Sequence, residues 1–306
     1  MKYGNVPHLD KPVPRIVCGT DFLMSQPPGE SFRALDAYWE AGGRCFDSAF
    51  VYGANSNILG AWTGSRGVRN EVMHFDKGCH PGGGRLRVTR EDLRNDLRAN
   101  HERLGVGFTD FFVLHRDNPE VPVGEIVDWL NEAKDEGLIG VFGGSNWHHT
   151  RIQEANEYAQ RTGKQGFSLN NPNLSLAKVN EPMWKDAYTI DDGGRKWHAE
   201  TGFPLFAWSS MARGYFASVD DGDVKRVYDN MASRARRSRA TELGRKYGAT
   251  PAQVALAWVL NQPGSMFALC GLRNVDNVFQ NVEALDLALA PEELRWLEHG
   301  EGSSMQ

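Results

Sequence analysis

The stretch TDFFVLHRDNPEVPVGEIVDWLNEAKDEGLIGVFGGSN, residues 109–146, decides the fold. An apolar β-type run, Asp110–His115, gives way to a helix-period segment, and that to a second apolar run, Ile139–Ser145. Such alternation is the mark of βα units built on a parallel sheet. Outward from it the pattern repeats, with strand candidates at Arg15–Gly19, Arg44–Asp47, Glu71–Lys77, Gln165–Asn170, Pro204–Trp208 and Met266–Gly271. Eight strands separated by helices fit a closed (β/α)8 TIM barrel better than an open sheet, and one domain spanning residues 1–306 is the expectation. Thr89 and Thr250 read as helix N-caps, the second with Pro251 at the first helical position. The opening segment, Met1 to Pro14, is too short for a βα unit and is expected to form a hairpin under the barrel floor. Two stretches read as long loops, Gly78–Val88 and roughly Asn171–Phe203, both on the strand-end face where barrel enzymes do their chemistry.

The chain is 306 residues long, 41% hydrophobic and 24% charged, the balance of a soluble globular protein. A net charge of −5 argues against a nucleic-acid partner, which requires a concentrated basic face. The basic cluster Arg234, Arg236, Arg237 and Arg239 reads as a solvated helix face. Neither a signal-peptide core nor a membrane-length apolar run appears, so no membrane partner and a cytoplasmic location are expected. Cys18, Cys45, Cys79 and Cys270 are too widely spaced for a zinc ribbon and read as reduced, buried residues.

Four polar residues fall at or just after consecutive strand ends: Asp47 and Tyr52, then Lys77, then His115. In a barrel, adjacent strand ends converge on one mouth, and these four form a proton-handling set. Reducing a carbonyl needs an acid for the developing alkoxide. A tyrosine hydroxyl serves if a nearby ammonium favours its phenolate, a charge Lys77 would supply with Asp47 holding it protonated. His115, as a neutral imidazole, would help polarise the substrate oxygen.

Several segments in register carry a resemblance: Phe46-Asp47-Ser-Ala-Phe-Val-Tyr52-Gly53, the Lys77 strand end, Val113-Leu114-His115-Arg116, Gly143-Gly144-Ser145-Asn146, Ala207–Gly214 and Gly271-Leu-Arg273-Asn through Gln280-Asn281. Together they are similar to the aldo-keto reductase superfamily over nearly the whole chain. The resemblance implies a catalytic tetrad of Asp47, Tyr52, Lys77 and His115, with Tyr52 as acid/base. It implies a nicotinamide cofactor held by Gly19, Thr20, Asp47, Ser145, Asn146 and Asn171, with Trp208 stacked on the ring. Ser209, Ser210, Met211, Arg213 and Gly214 would follow the pyrophosphate, and Gly271, Arg273, Asn277, Gln280 and Asn281 the adenosine end. The chain departs from the family pattern at Ser48, Asn171, Trp208, Asn277 and Gln280, where threonine, glutamine, tyrosine, arginine and glutamate are usual. Register leaves Asn170 as an alternative to Asn171. NADP over NAD then rests on Arg273.

The resemblance implies a small-molecule carbonyl or alcohol as substrate. Asp21, Tyr52, His115, Arg116 and Trp147 are the expected substrate contacts, with Phe22, Trp62, Asp117, Asn118, Trp184 and Trp197 as further pocket candidates; indoles plus hydrogen-bonding groups suit a sugar-like molecule. No metal site is expected, since His148 and His149, as adjacent residues, should point in different directions and no ligand spacing is present. The rivals are a non-catalytic nicotinamide-binding regulatory module and a nicotinamide-independent barrel hydrolase or isomerase.

Overall fold

The computed structural model describes residues 1–300. Eight parallel strands, β3 (Ile16–Gly19), β4 (Cys45–Asp47), β5 (Met73–Gly78), β6 (Thr109–Leu114), β7 (Ile139–Ser145), β8 (Leu169–Asn171), β9 (Leu205–Ala207) and β10 (Met266–Gly271), close in chain order, with β10 pairing back onto β3. Below them β1 (Tyr3–Gly4) and β2 (Val13–Pro14) form the expected antiparallel hairpin. Helices α1 (Pro28–Glu40), α2 (Ala54–Arg66), α3 (Arg90–Leu104), α4 (Val123–Asp135), α5 (His149–Thr162) and α6 (Asp192–Thr201) follow successive barrel strands. After β9 come α7 (Gly222–Tyr228), α8 (Met231–Tyr247) and α9 (Pro251–Leu260), and after β10 come α10 (Val275–Glu283) and α11 (Pro291–His299). None of the helices among these residues is long and apolar enough to cross a membrane.

Inside the barrel, Phe75, Phe111, Phe206 and Phe267 fill the lower layers, the last two stacked with centroids 4.3 Å apart. Val6 and Val13 of the hairpin join that cluster, so the hairpin plugs the bottom and leaves the opposite mouth open. Gly4 permits this closure, because a Cβ there would lie 2.9 Å from the Phe267 ring. Outside, apolar helix faces cover the strands. Tyr38 of α1 lies over Gly43 and donates to the carbonyls of Ile16 and Cys45, tying α1 to two strands.

The expected helix starts are present: Thr89 accepts from Asp92 N, and Thr250 forms a reciprocal capping box with Gln253. All four cysteines are free and buried. Three expectations need correction. The strand placed at Gln165–Asn170 is the shorter Leu169–Asn171, because side chains of Asn131 and Asn156 take the backbone groups of Gln165 and Phe167 that a strand would pair. The loop placed at 171–203 contains α6, capped by Asp191 on Gly194 N; Gly193 and Gly194 mask its helical character in the sequence. The basic cluster is only partly a solvated face. Arg236 donates to Leu176 O and Glu298 O, and Arg239 to Leu297 O and Glu298 O, satisfying carbonyls at the end of α11.

Gly143 and Gly144 are strand residues of β7 whose missing side chains matter. A Cβ on Gly144 would lie 2.4 Å from the Trp147 indole, and one on Gly143 2.3 Å from Leu169 O. Gly144→Ala should therefore destabilise by about 1–3 kcal/mol, whereas Gly222→Ala, where a Cβ meets nothing within 4 Å, should stay within about 0.5 kcal/mol of the parent. Denaturant midpoints measured at constant m value check this, and equal stabilities of the two variants would contradict it.

Candidate active site

The carboxyl ends of the barrel strands open on a cavity of about 1410 Å³, larger than the roughly 300–1,000 Å³ typical of small-molecule sites. Asp47 ends β4, and Tyr52 ends the short 3₁₀ turn Phe50–Tyr52 that follows it. Lys77 lies near the end of β5, and His115 directly follows β6. All four line the cavity.

Lys77 Nζ donates to Asp47 Oδ1, and the Tyr52 hydroxyl donates to Asp47 Oδ2 at 3.2 Å. One carboxylate thus bridges the ammonium and the phenol, with Asp47 and Lys77 at 3% and 2% exposure. Lys77 Nζ also lies 5.2 Å from the centre of the Tyr52 ring. Burial draws the Lys77 ammonium down to about 7 against the opposing charge of Asp21, and the ammonium pairs directly with the Asp47 carboxylate. The tuning expected at Tyr52 is different in the structure. Burial, reinforced by Asp21, holds its hydroxyl well above the ordinary value, Arg116 opposes this, and the Lys77 charge is spent on Asp47. Tyr52 is therefore a proton-bearing phenol. Burial, then Lys77, Arg116 and His80, keep His115 far below the ordinary histidine value, so its imidazole is neutral. Its ring meets that of Tyr52 edge-on at 6.3 Å and that of His80 at 4.8 Å.

Along the rest of the rim, Gly19, Ser145, Asn146, Asn171, Trp208, Ser209, Ser210, Met211, Arg213, Gly214, Gly271, Arg273, Asn277 and Asn281 line the same cavity. The two register alternatives face different ways. Asn170 points to Trp147 O and His198, whereas Asn171 faces the cavity and donates to Phe206 O. Asn146, at φ 62°, turns back and donates to Ser145 Oγ and His115 O, while its Oδ1 accepts from Tyr188 N at 3.0 Å and Trp208 Nε1 at 3.1 Å. Ser209, Ala212, Arg213 and Gly214 all have positive φ, a tight left-handed turn at the cavity edge. An elongated groove with amide groups and an indole face at one end, this turn in the middle, and Arg273 with the α10 N-terminus at the other fits an extended dianionic dinucleotide.

Several expected contacts lie elsewhere. Thr20 is buried and donates to Asp47 O, so it braces the site from below. Trp147 is fully buried outside the barrel over Gly144 and against Phe167, displaced from the cavity by the glycine that accommodates it. Gln280 is exposed and meets α9 only through its carbonyl, which accepts from Gln253. Phe22 lies beneath Arg273, Trp62 donates to Asp36, Trp197 packs on Phe203, Asp117 pairs with Arg151, and Asn118 accepts from Glu120 N. Asp21, Arg116 and Trp184 do line the cavity. His148 and His149 do not diverge: their rings lie 4.2 Å apart and, with Asp191, bring three possible ligand atoms within 4.8 Å. Asp191 there caps α6, and His148 Nδ1 bonds Thr150, so these residues tie two helix starts together.

Residues missed from sequence include His80, Gly82, Arg85 and Leu86 of the loop after β5, and Lys185 and Asp186 of the loop after β8. A usable signal existed for the first: Arg85 and Arg87 precede Asp92 and Asp96, and the ion pairs Arg85–Asp92 and Arg87–Asp96 pin that loop onto α3.

A buried acid–ammonium–phenol set beside a long groove at a (β/α)8 mouth defines a barrel enzyme that works on a bound cofactor and a small substrate. The aldo/keto reductase family model matches residues 15–299, and the chain belongs to that family of oxidoreductases, which act on carbonyl and alcohol groups with a nicotinamide cofactor. It is 26% identical over 279 residues to aldo-keto reductase str7 of Strobilurus tenacellus, covering 87% of this chain and 79% of that protein. It is 24% identical over 299 residues to the aryl-alcohol dehydrogenase [NADP(+)] of Phanerodontia chrysosporium, covering 87% and 74%. Among solved structures, a thermostable aldo-keto reductase in complex with the inhibitor epalrestat superimposes with a TM-score of 0.76 at 21% identity, over 97% of this chain and 99% of that one.

Asp47→Asn would leave the Lys77 ammonium buried without its counter-charge, and should destabilise by about 3–5 kcal/mol at and below neutral pH. The folded chain holds Lys77 near 7 while the ordinary lysine value is 10.5, so between those values the unfolded chain binds more protons and stability rises with pH. Without the carboxylate the folded-state value falls further, so the rise begins at lower pH, and the gap between parent and variant grows as pH falls below about 7 and stays constant above it. Urea melts on either side of that pH test the point; a pH-independent gap would contradict it.

Proposed function

We propose that this chain interconverts a carbonyl and an alcohol, taking NADP(H) in preference to NAD(H), with Tyr52 as the proton donor to the carbonyl oxygen. The observation that carries this reading is the hydrogen-bonded line from Lys77 through Asp47 to the Tyr52 hydroxyl, open to the cavity beside His115. When bound, the nicotinamide supplies a hydride to the carbonyl carbon or accepts one from the alcohol.

The chain's own residues handle the proton. Tyr52, kept protonated by burial, gives its O–H proton to the substrate oxygen as negative charge develops there. The phenolate left behind faces the Lys77 ammonium, and Asp47, bonded to both, is placed to return a proton from Lys77. His115, neutral through burial, hydrogen-bonds the substrate oxygen and polarises the carbonyl.

Asn146 is engaged at both polar atoms and Ser145 Oγ already donates to Asn171 O and accepts from Asn146, so the nicotinamide carboxamide falls first to Asn171, whose Oδ1 faces no competing donor among the described residues, with Ser145 Oγ keeping one lone pair for its amide. Trp208 offers its face to the ring, and Nε1 bonding to Asn146 sets the indole orientation. The Ser209–Gly214 turn takes the pyrophosphate, and Arg273, exposed over Phe22, takes the 2′-phosphate. Of the four indoles weighed for the substrate pocket, only Trp184 lines the cavity, against Trp208 and Arg213, and His80, Arg116 and Asp186 line the same cavity. That wall suits a polar carbonyl compound, a polyhydroxylated sugar aldehyde among them.

Tyr52→Phe should lower kcat by about 10²- to 10⁴-fold while NADPH still quenches tryptophan fluorescence through Trp208. Loss of quenching in the parent protein would sink the cofactor groove. Arg273→Ala should raise the Kd for NADPH by about tenfold or more, a charged hydrogen bond being worth roughly 1.5–3 kcal/mol, and leave NADH nearly unmoved. Equal effects on both cofactors would remove the basis for NADP preference.

A further inference from the structure

Arg116 makes no hydrogen bond to Asp47, Tyr52 or Lys77, and its charge reaches Tyr52 and the His115 ring only through space. It is 5% exposed, yet it lines the reaction cavity immediately after His115. Its one hydrogen bond runs from Nη1 to His115 O at 2.7 Å, and its buried Nε has no partner among the described residues.

Removing a guanidinium from water costs several kcal/mol unless an anion or a set of acceptors replaces the water. Other sheltered arginines of this chain meet that requirement. Arg87 pairs with Asp92 and Asp96, and Arg236 holds two backbone carbonyls. Among the described residues no carboxylate forms an ion pair with Arg116: Asp47 is taken by Lys77 and Asp117 by Arg151, Asp186 acts on it only through its charge from the exposed mouth, and Asp21 is exposed too. Nε is shut away from solvent, so it is the Nη edge of the guanidinium that Arg116 presents to a cavity whose substrate must supply acceptors.

We infer that the substrate carries a carboxylate in addition to its carbonyl, and that Arg116 binds that carboxylate while Tyr52 addresses the carbonyl oxygen. This rests on the carbonyl-reducing role proposed above. A single free guanidinium matches a single negative charge, and its planar fork matches two carboxylate oxygens. Lys77 cannot add a second positive charge, being bound to Asp47, so a phosphate dianion fits less well than a carboxylate. Arg116 acts on binding and specificity beyond its through-space effect on Tyr52 and His115, which is why the carboxylate-to-amide ratio, and not the rate alone, is read.

The test compares 4-carboxybenzaldehyde with its neutral near-isostere 4-carbamoylbenzaldehyde, following NADPH oxidation, with glyceraldehyde 3-phosphate as the phosphate arm. The parent protein should favour the carboxylate in kcat/KM by about 10- to 100-fold, the value of a charge-assisted pair. Arg116→Gln should collapse that ratio towards one, and Arg116→Lys should restore part of it, since it keeps the charge without the fork; melting temperatures establish that each variant is folded. A parent ratio near one, a ratio unmoved by Arg116→Gln, or preference for the phosphate overturns the inference. Calorimetric binding of benzoate against benzamide keeps the two claims apart, because it needs no turnover. Benzoate binding that depends on Arg116 in a protein that reduces no carbonyl would support the anion site and sink the reductase reading, whereas reduction of neutral carbonyls with no benzoate binding would do the reverse.

Discussion

The site depends on keeping the Asp47 carboxylate and the Lys77 ammonium in contact where water hardly reaches. Neither charge could persist alone at such depth, and together they persist only because adjacent parallel strands hold them in register, with Asp47 paired to Phe75 two residues before Lys77. The rest of the mouth is arranged around that contact. Thr20 fixes the Asp47 backbone, Tyr52 takes the remaining carboxylate oxygen, and the Lys77 charge presses His115 towards neutrality. The hairpin at the opposite end, with Val6 and Val13 against the phenylalanine layers, keeps the barrel shut below, so polar chemistry occurs only where the strands end.

Much of this was legible in the sequence because barrels convert chain order into position. A polar residue ending an apolar run must stand at the mouth, and Asp47, Lys77, His115, Ser145 and Asn171 all do. What was not legible shares one cause: side-chain direction set by packing between elements. Trp147 sits one residue from Asn146 but serves the helix layer, because Gly144 leaves room for its indole there. The same uncertainty hid the convergence of His148 and His149 with Asp191, the N-cap of α6, and α6 was itself concealed by two glycines. Loop walls such as His80 and Asp186 carry no periodic signal; the ion pairs that fasten the loop after β5 mark out the first, and no such pair marks out the second.

The distribution of charge around the mouth divides it by task. On the proton side the charges cancel locally, Lys77 against Asp47, which leaves a phenol and an imidazole as neutral hydrogen-bonding groups. Towards the groove the charges are uncancelled and mostly exposed, at Arg213 and Arg273, where a polyanionic ligand would lie. Arg116 stands between the two regions, buried like the first and unpaired like the second.

Asn146 gives these regions a shared fastening. Its side chain holds Trp208 on the groove floor and, through Tyr188 N, the loop carrying Trp184 and Asp186 on the outer wall. A wall tied to the floor in this way is not an independent flap. Any ligand that draws the loop inward also adjusts the indole against which the other ligand rests, so the two affinities are coupled, and by thermodynamic linkage each changes the other by the same factor. Altering the substrate wall at this loop would thus carry a cost, or a benefit, in cofactor affinity without any residue of the groove being replaced.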